Sequence, residues 1–371
     1  MKITSATLRE IRMPLLSPFE TSFARMQQRR ILLVQLVVHD GDATAEGWGE
    51  VTCGEAPYYN AESTDIAAIV LRDFALPLVV GGEFAHPAAV SARMARIRGN
   101  AMAKAAVENA LWDASARLAG EPLWRHIGGS RAEIACGVSI GIKDSVEELL
   151  DTIARERAAG YQRIKIKIKP GWDLAILEQV RTHFPDVPLL ADANSAYTLD
   201  DAGLLQEFDR FGLMMIEQPL WHDDIYLHAR LQRQLKTPIC LDESIHHVRD
   251  ARLAIELGAC GVINVKLGRV GGFSSALEVH AATRAAELPV WCGGMLESGI
   301  GRAHNIALST LENFSLPGDV SASRRYWRED IIDPEVTVTP QGTILPPSSP
   351  GLGFAIKRDL VQKLTVWEQS F

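Results

Sequence analysis

Hydrophobic and polar positions change rhythm along this chain. Through about residue 52 they alternate with a period of two. ITSATLREIRM, RILLVQLVVHD and AEGWGEVTC read as three strands of a β-meander, with Gly41–Asp42 as a turn. A helical period then takes over. Its clearest case is Ala101–Leu118, where Ala105, Ala106, Ala110, Leu111 and Ala114 form one apolar stripe and Gly120 follows as a stop. From about Ile134 short apolar runs alternate with helical stretches. IACGVSIGI, RIKIKI, PLLADA, LMMIEQ, PICLDE, GVINVKL, LPVWCGG and NFSLPGD are eight strand candidates, and seven helical segments such as SVEELLDTIARERAAG lie between them. This pattern predicts an α/β fold, a TIM-type (β/α) barrel. After Asp319 it breaks. Residues 330–371 hold Pro-rich turns and the strand-like VTVTPQGTIL, predicted to return to the N-terminal domain.

Composition narrows the partners. A length of 371 residues suits a large core and two domains, and 47% apolar with 23% charged residues is ordinary for a globular chain. A net charge of −8 with no basic stripe argues against nucleic acid, while a small anionic substrate stays compatible with it. Cys53, Cys136, Cys240, Cys260 and Cys292 are odd in number and lack a CxxC spacing, so they read as buried small hydrophobes. The N-terminal stretch has no signal-peptide core, and no apolar run approaches the roughly 20 residues of a membrane span. The expectation is a cytoplasmic protein with no membrane partner.

The chemistry lies in one spacing. Lys167, Asp192, Glu217 and Asp242 follow one another at intervals of 25 residues, and Lys266 comes 24 later. Each ends a strand candidate, where barrels carry their catalytic groups. Asp192, Glu217 and Asp242 on consecutive strand ends would repel one another unless a hard divalent cation such as Mg²⁺ joined them. Taken singly, each could instead cap the following helix. Lys165 and Lys167 point to one face of their strand, although Lys169 continues the series and a solvated KxKxK edge is the bland alternative. Lys266 stands across the ring of strands from Lys167, so the two could serve opposite faces of a substrate carbon. Arg269 either depresses the pKa of Lys266 or is a surface cation. Asn194 either lines the pocket or caps a helix. The glycine-rich turns 268–272 and 293–301 are placed to bind phosphate or carboxylate. His246 and His247 read as loop residues, not ligands, and parity leaves the direction of Trp291 open.

With RIKIKIKPGWD (163–173), DANSAYTL (192–199), IEQPL (216–220), PICLDESI (238–245), INVKLGRVGG (263–272), PVWCGGMLESGIGRA (289–303) and SLPGDVSAS (315–323), the chain resembles the enolase superfamily nearly end to end. Within it, it resembles the o-succinylbenzoate synthase / N-succinylamino acid (N-acylamino acid) racemase family. The resemblance implies an α+β capping domain formed by the N-terminal region and the C-terminal tail, with divisions at 1–127, 128–322 and 323–371. It implies Mg²⁺, or Mn²⁺ in its place, on Asp192, Glu217 and Asp242, and Lys167 with Lys266 as acid and base. It implies cap loops 13–23 and 54–60, carrying Phe19, Phe23, Tyr58 and Tyr59, that close over a small carboxylate substrate. Ser139, Gly293, Gly294 and Met295 match positions near the substrate, and a homo-oligomer from dimer to octamer is expected. Dipeptide epimerases carry Asp-x-Asp where this chain has Asp319-Val320-Ser321. Muconate cycloisomerase and a catalytically silent acid-binding barrel are the remaining readings.

Overall fold

The computed structural model describes residues 1–21 and 24–371. Its first sheet is the predicted meander: β1 (Lys2–Glu20), β2 (Arg25–Asp40) and β3 (Ala43–Val51), all antiparallel. Alternate residues Ile3, Leu8, Leu32, Val34 and Leu36 face a core completed by helix α1 (Ala101–Leu118). The strand and helix touch closely because the contact residues are small. A Cβ at Gly49 would lie 1.8 Å from the carbonyl oxygen of Ala106. One apolar stripe understates α1, which is buried on nearly every side from Met102 to Ala116. Its polar residues are bonded instead of solvated: Asp113 accepts from the amides of Trp48 (3.0 Å) and Leu352 (2.7 Å).

Seven parallel strands follow in sequence order: β4 (Gly137–Ile140), β5 (Arg163–Lys167), β6 (Leu189–Asp192), β7 (Met215–Glu217), β8 (Ile239–Leu241), β9 (Val262–Val265) and β10 (Val290–Cys292). A helix lies between each pair. Parity then sorts every side chain. Ile164, Ile166, Leu189, Ala191 and Ile216 pack outward in the large core shared with the helices. Leu190, Met215, Cys240, Val262 and Trp291 form a separate inner layer. Trp291 therefore points inward, a question parity alone left open. The eighth strand candidate forms no regular strand. It closes the barrel by one parallel bridge, Cys136 to Gly318, and by bonds from Gly137 N to Gly318 O (2.7 Å) and Asp319 N to Cys292 O (2.8 Å). Pro317 lacks an amide, which limits the ladder there.

The tail departs from expectation. In VTVTPQGTIL only Thr343–Ile344 is strand, and it pairs with Ile134–Ala135 at the foot of the barrel, not with the cap. The segment that reaches the meander is β11 (Thr365–Ser370), antiparallel to β1. Residues 13–20, expected as a loop, continue β1 as a hairpin with β2. Its end is seated on the barrel, where Ile142 N donates to Glu20 O (3.0 Å). Phe23 lies outside the described residues. All five cysteines are buried and unpaired, and no described helix is long and apolar enough to cross a membrane.

Buried Glu50 of β3 links cap and barrel at the start of helix α2 (Gly299–Ser309). It accepts from Ser298 Oγ (2.5 Å), Ser298 N (3.1 Å) and Gly301 N (2.9 Å). Burial pushes its carboxyl up to about 7; the Ser298 bond pulls it back and Glu297 adds to the rise. A raised carboxyl favours the folded state fully below its unfolded value, near 4.5, and that advantage is lost as pH climbs through about 7. We expect Glu50→Gln to flatten the decline of stability over this window by on the order of 3 kcal/mol. Urea midpoints measured against pH for both proteins test this, and parallel curves would rule it out.

Candidate active site

The C-terminal ends of the barrel strands and the underside of the cap enclose a cavity of about 510 Å³. Period two on β5 sends Arg163, Lys165 and Lys167 inward, all buried. Neighbouring strands set Asp192 beside Lys167 and Glu217 beside Asp192 in register. Lys167 Nζ donates to Asp192 Oδ2 (2.6 Å) and Asn194 Oδ1 (2.7 Å). Lys165 Nζ reaches Glu217 Oε2 (3.0 Å) and Asp192 Oδ2 (3.3 Å). Lys266 Nζ, from the end of β9, reaches Asp242 Oδ2 (2.8 Å) and lies 4.3 Å from the Tyr59 ring centre. Lys165, Lys167, Lys266, Asn194, Ser139, Gly294, Met295, Phe19, Tyr58 and Tyr59 line the cavity. Asp192, Glu217 and Asp242 do not. They sit behind the ammoniums, almost wholly buried.

The charges hold one another. Burial raises the carboxyl of Asp192, but Lys167 and Lys165 outweigh it and bring it down to about 2. Glu217 goes the other way, pushed up by burial and by Asp192. Burial pulls Lys165 down, and Asp319, Glu217 and Asp192 together lift it above its ordinary value. Lys266 is likewise lifted, by Tyr59, Glu243, Glu217 and Asp192 against burial. Arg269 shares Asp242 with Lys266. It is no surface cation. It is buried, pairs with Asp242, and donates to Tyr59 Oη (2.9 Å), Ile245 O (2.7 Å) and Asn264 O (2.5 Å).

The two glycine-rich turns part company. Gly294 and Met295 of the second line the cavity, while Gly293 packs beneath, where a Cβ would lie 2.2 Å from Asn264 Oδ1. None of residues 268–272 of the first lines the cavity. Residues 267–270 make one helical turn against the cap, and a Cβ at Gly268 would lie 2.2 Å from Thr52 Oγ1. His246 and His247 lie at a helix start beside Asp250.

Several residues were missed. Arg163 obeys the same period as Lys165 and Lys167. Asp319 ends the eighth strand candidate, as Lys167, Asp192, Glu217, Asp242 and Lys266 end theirs, but off their regular interval. It pairs with Lys165 (2.7 Å) and Arg163 (2.8 Å) and accepts from Ser139 Oγ (3.0 Å). Gln218 accepts from Asp242 N (3.0 Å) and donates to Ser244 Oγ (2.7 Å), fixing the backbone that carries Asp242. Glu243 accepts from Asn194 Nδ2 (3.0 Å) and leaves its other oxygen without a partner. Burial pushes Glu243 up to about 7 despite Lys266.

Among the described residues no three acidic, His or Cys side chains are already gathered around a point that would grip an ion. The donor set nevertheless fits one. Asp192, Glu217 and Asp242 are hard oxygen donors on adjacent strand ends, and what separates them is ammonium that a dication can displace.

The N-terminal domain model of the mandelate racemase / muconate lactonizing enzyme family matches residues 3–128, and the enolase C-terminal domain-like model matches 148–360. The chain is 51% identical over 371 residues to an o-succinylbenzoate synthase of Geobacillus kaustophilus, covering 100% of this chain and 98% of that one. It is 46% identical to an N-succinylamino acid racemase of Thermus thermophilus, covering 100% and 99%. A crystal structure of an enolase-superfamily member from Listeria innocua superposes with a TM-score of 0.95 at 41% identity, covering 100% and 99%.

Asn194 holds Lys167 and Glu243 from a left-handed backbone, φ 43°. Asn194→Ala loses the side-chain bonds and adds backbone strain, whereas Asn194→Gly loses only the bonds. We expect Ala to be less stable than Gly by about 1 kcal/mol, measured by urea unfolding. Equal midpoints would show that the backbone is not strained there.

Proposed function

The chain belongs to the mandelate racemase / muconate lactonizing enzyme family of the enolase superfamily, and from that membership we propose an enzyme that removes the proton α to a carboxylate. Its reactions are those of its relatives: o-succinylbenzoate synthesis by dehydration, racemisation of N-succinylamino acids, or both. The observation that carries this reading is the pair Lys167 and Lys266. Both line one cavity, from strands β5 and β9 across the barrel, and each is bonded to a strand-end carboxylate.

Asp192, Glu217 and Asp242 would hold Mg²⁺ or Mn²⁺. When bound, the ion supplies Lewis-acid polarisation of the substrate carboxylate and charge stabilisation as the proton leaves. The rest falls to the chain. Lys167 and Lys266 address opposite faces of the α-carbon; one takes the proton and the other returns one, which inverts the centre. In dehydration Lys167 takes the proton and hands it on to the departing hydroxide, which leaves as water, and Lys266 serves as a cation over the ring. Lys165, locked among carboxylates, stays charged and fixes the field around Lys167. Asn194 aims Lys167, and Tyr59 with Arg269 fixes Asp242. Phe19, Tyr58 and Tyr59 close the cavity from above, which keeps water from the reacting carbon. We divide the chain at 1–127, 128–322 and 323–371. The stretch Asp319-Val320-Ser321 speaks against a dipeptide epimerase, since a serine stands where the second aspartate of Asp-x-Asp would be.

Three outcomes test this. Chelation should abolish turnover and Mg²⁺ or Mn²⁺ should restore it; full activity in excess chelator would sink the ion site. N-succinyl amino acids should react and free amino acids should not, because the succinyl arm supplies remote binding energy. Comparable kcat/KM on free and succinylated phenylalanine would contradict that. In D₂O, Lys167→Ala and Lys266→Ala should each lose α-proton exchange from a different enantiomer, and both should lose racemisation by about 100-fold or more. Racemisation near the wild-type rate in either variant would refute the two-base assignment.

A further inference from the structure

Lys165 has three carboxylates within reach: Asp319 at 2.7 Å, Glu217 at 3.0 Å and Asp192 at 3.3 Å. Two of the three are the ion ligands proposed above, on which this inference rests. An ammonium and a dication cannot both sit close against the same oxygens, because like charges repel strongly at such range in a buried site. Lys165 touches the cavity but has little access to water. It is 3% exposed, and beneath it the Trp291 ring, 4.9 Å away, blocks retreat down the barrel. Asp319 is the one partner of the three that a dication leaves free. It is also the nearest, and it is held from outside the ion site. Ser139 Oγ donates to it at 3.0 Å, and Arg163 makes a charge contact at 2.8 Å that is not an aligned hydrogen bond. Its backbone amide is bonded to Cys292 O at 2.8 Å. Ser139 is steadied in turn by Arg325, which donates to its carbonyl at 2.6 Å.

We propose that Asp319 is a positioning residue, the seat that holds the Lys165 ammonium while a divalent cation occupies Asp192 and Glu217. Loading the site then needs only a short shift of one side chain, from three shared carboxylates to one. No ammonium is left buried without a partner. Without Asp319, Lys165 has only the ion's own ligands to pair with and becomes a competitor for them.

The competition is measurable apart from catalysis. Mn²⁺ binding to the full chain is titrated calorimetrically for the wild type, Asp319→Asn, Lys165→Met and the double variant. Asp319→Asn should weaken Mn²⁺ at least tenfold. In the Lys165→Met background the same change should alter affinity less than about threefold, because the competitor is gone. A general structural role for Asp319 would weaken binding equally in both backgrounds, and that result overturns the proposal. So does unaltered affinity in Asp319→Asn. A wild type that binds no Mn²⁺ instead removes the ion site itself, which separates the two failures. Should Asp319→Asn not fold, a crystal structure of the wild type with Mn²⁺ decides. Lys165 Nζ must then stay on Asp319 and lie beyond hydrogen-bond distance of Asp192 and Glu217; retained bonds to either overturn the seat.

Discussion

Everything at the mouth of this barrel depends on burying opposite charges as neighbours. Five basic side chains (Arg163, Lys165, Lys167, Lys266, Arg269) and five acidic ones (Asp192, Glu217, Asp242, Glu243, Asp319) share a space almost closed to water. Any one alone would be prohibitive to bury, and together they are tolerable because every one but Glu243, which is held by Asn194, meets an opposite charge. The requirement fixes the strand register. A slip of one residue on β5 would send its three cations into the helix layer and leave the carboxylates of β6 and β7 repelling one another. The cluster therefore specifies the barrel's alignment as much as the barrel positions the cluster.

The cap is tied on by the same physics with other partners. Three buried glutamates each accept amides at the start of a helix, Glu62 within the cap and Glu108 and Glu50 across the boundary to the barrel. Glu62 takes Met102 N (2.9 Å) and Ala103 N (3.1 Å) at the start of α1. Glu108 takes Ser274 N (3.1 Å) on the barrel's helix 273–285, and Glu50 takes the start of α2. A helix N-terminus offers unpaired amides and a favourable dipole to a carboxylate that water no longer reaches. Burial shifts all three carboxyls upward, so these fastenings are set by proximity and not by charge alone.

Much of this was legible in the chain. A 25-residue interval gave the barrel, and parity placed Lys165 with Lys167. The carboxylates on consecutive strands came from the same arithmetic. What failed did so for local reasons. The eighth strand carries a proline and closes by a single bridge, so its terminal Asp319 lacked the signature that marked the others. Glu243 follows the end of β8, beyond the reach of alternation. The first glycine-rich turn looked like a ligand loop, yet its bare backbone serves close packing against Thr52. The strand-like stretch near 340 has the right residues for pairing, but sequence does not say with whom. Its partner is the barrel's foot, while the last six strand residues, four of them polar, cross to the cap.

The lid hairpin has a consequence beyond the chemistry. Its end is hydrogen-bonded main chain to main chain, to the barrel through Glu20 O and Ile142 N and to the C-terminal segment through Leu16 N and Tyr326 O at 2.9 Å. The side chains that face the cavity from the same hairpin, Phe19 and Met26, take no part in those bonds. Sealing and selectivity are thus written in separate alphabets, one of backbone and one of side chains. Phe19 or Met26 can therefore be exchanged, and the cavity wall reshaped, without breaking the two backbone bonds that hold the hairpin in place.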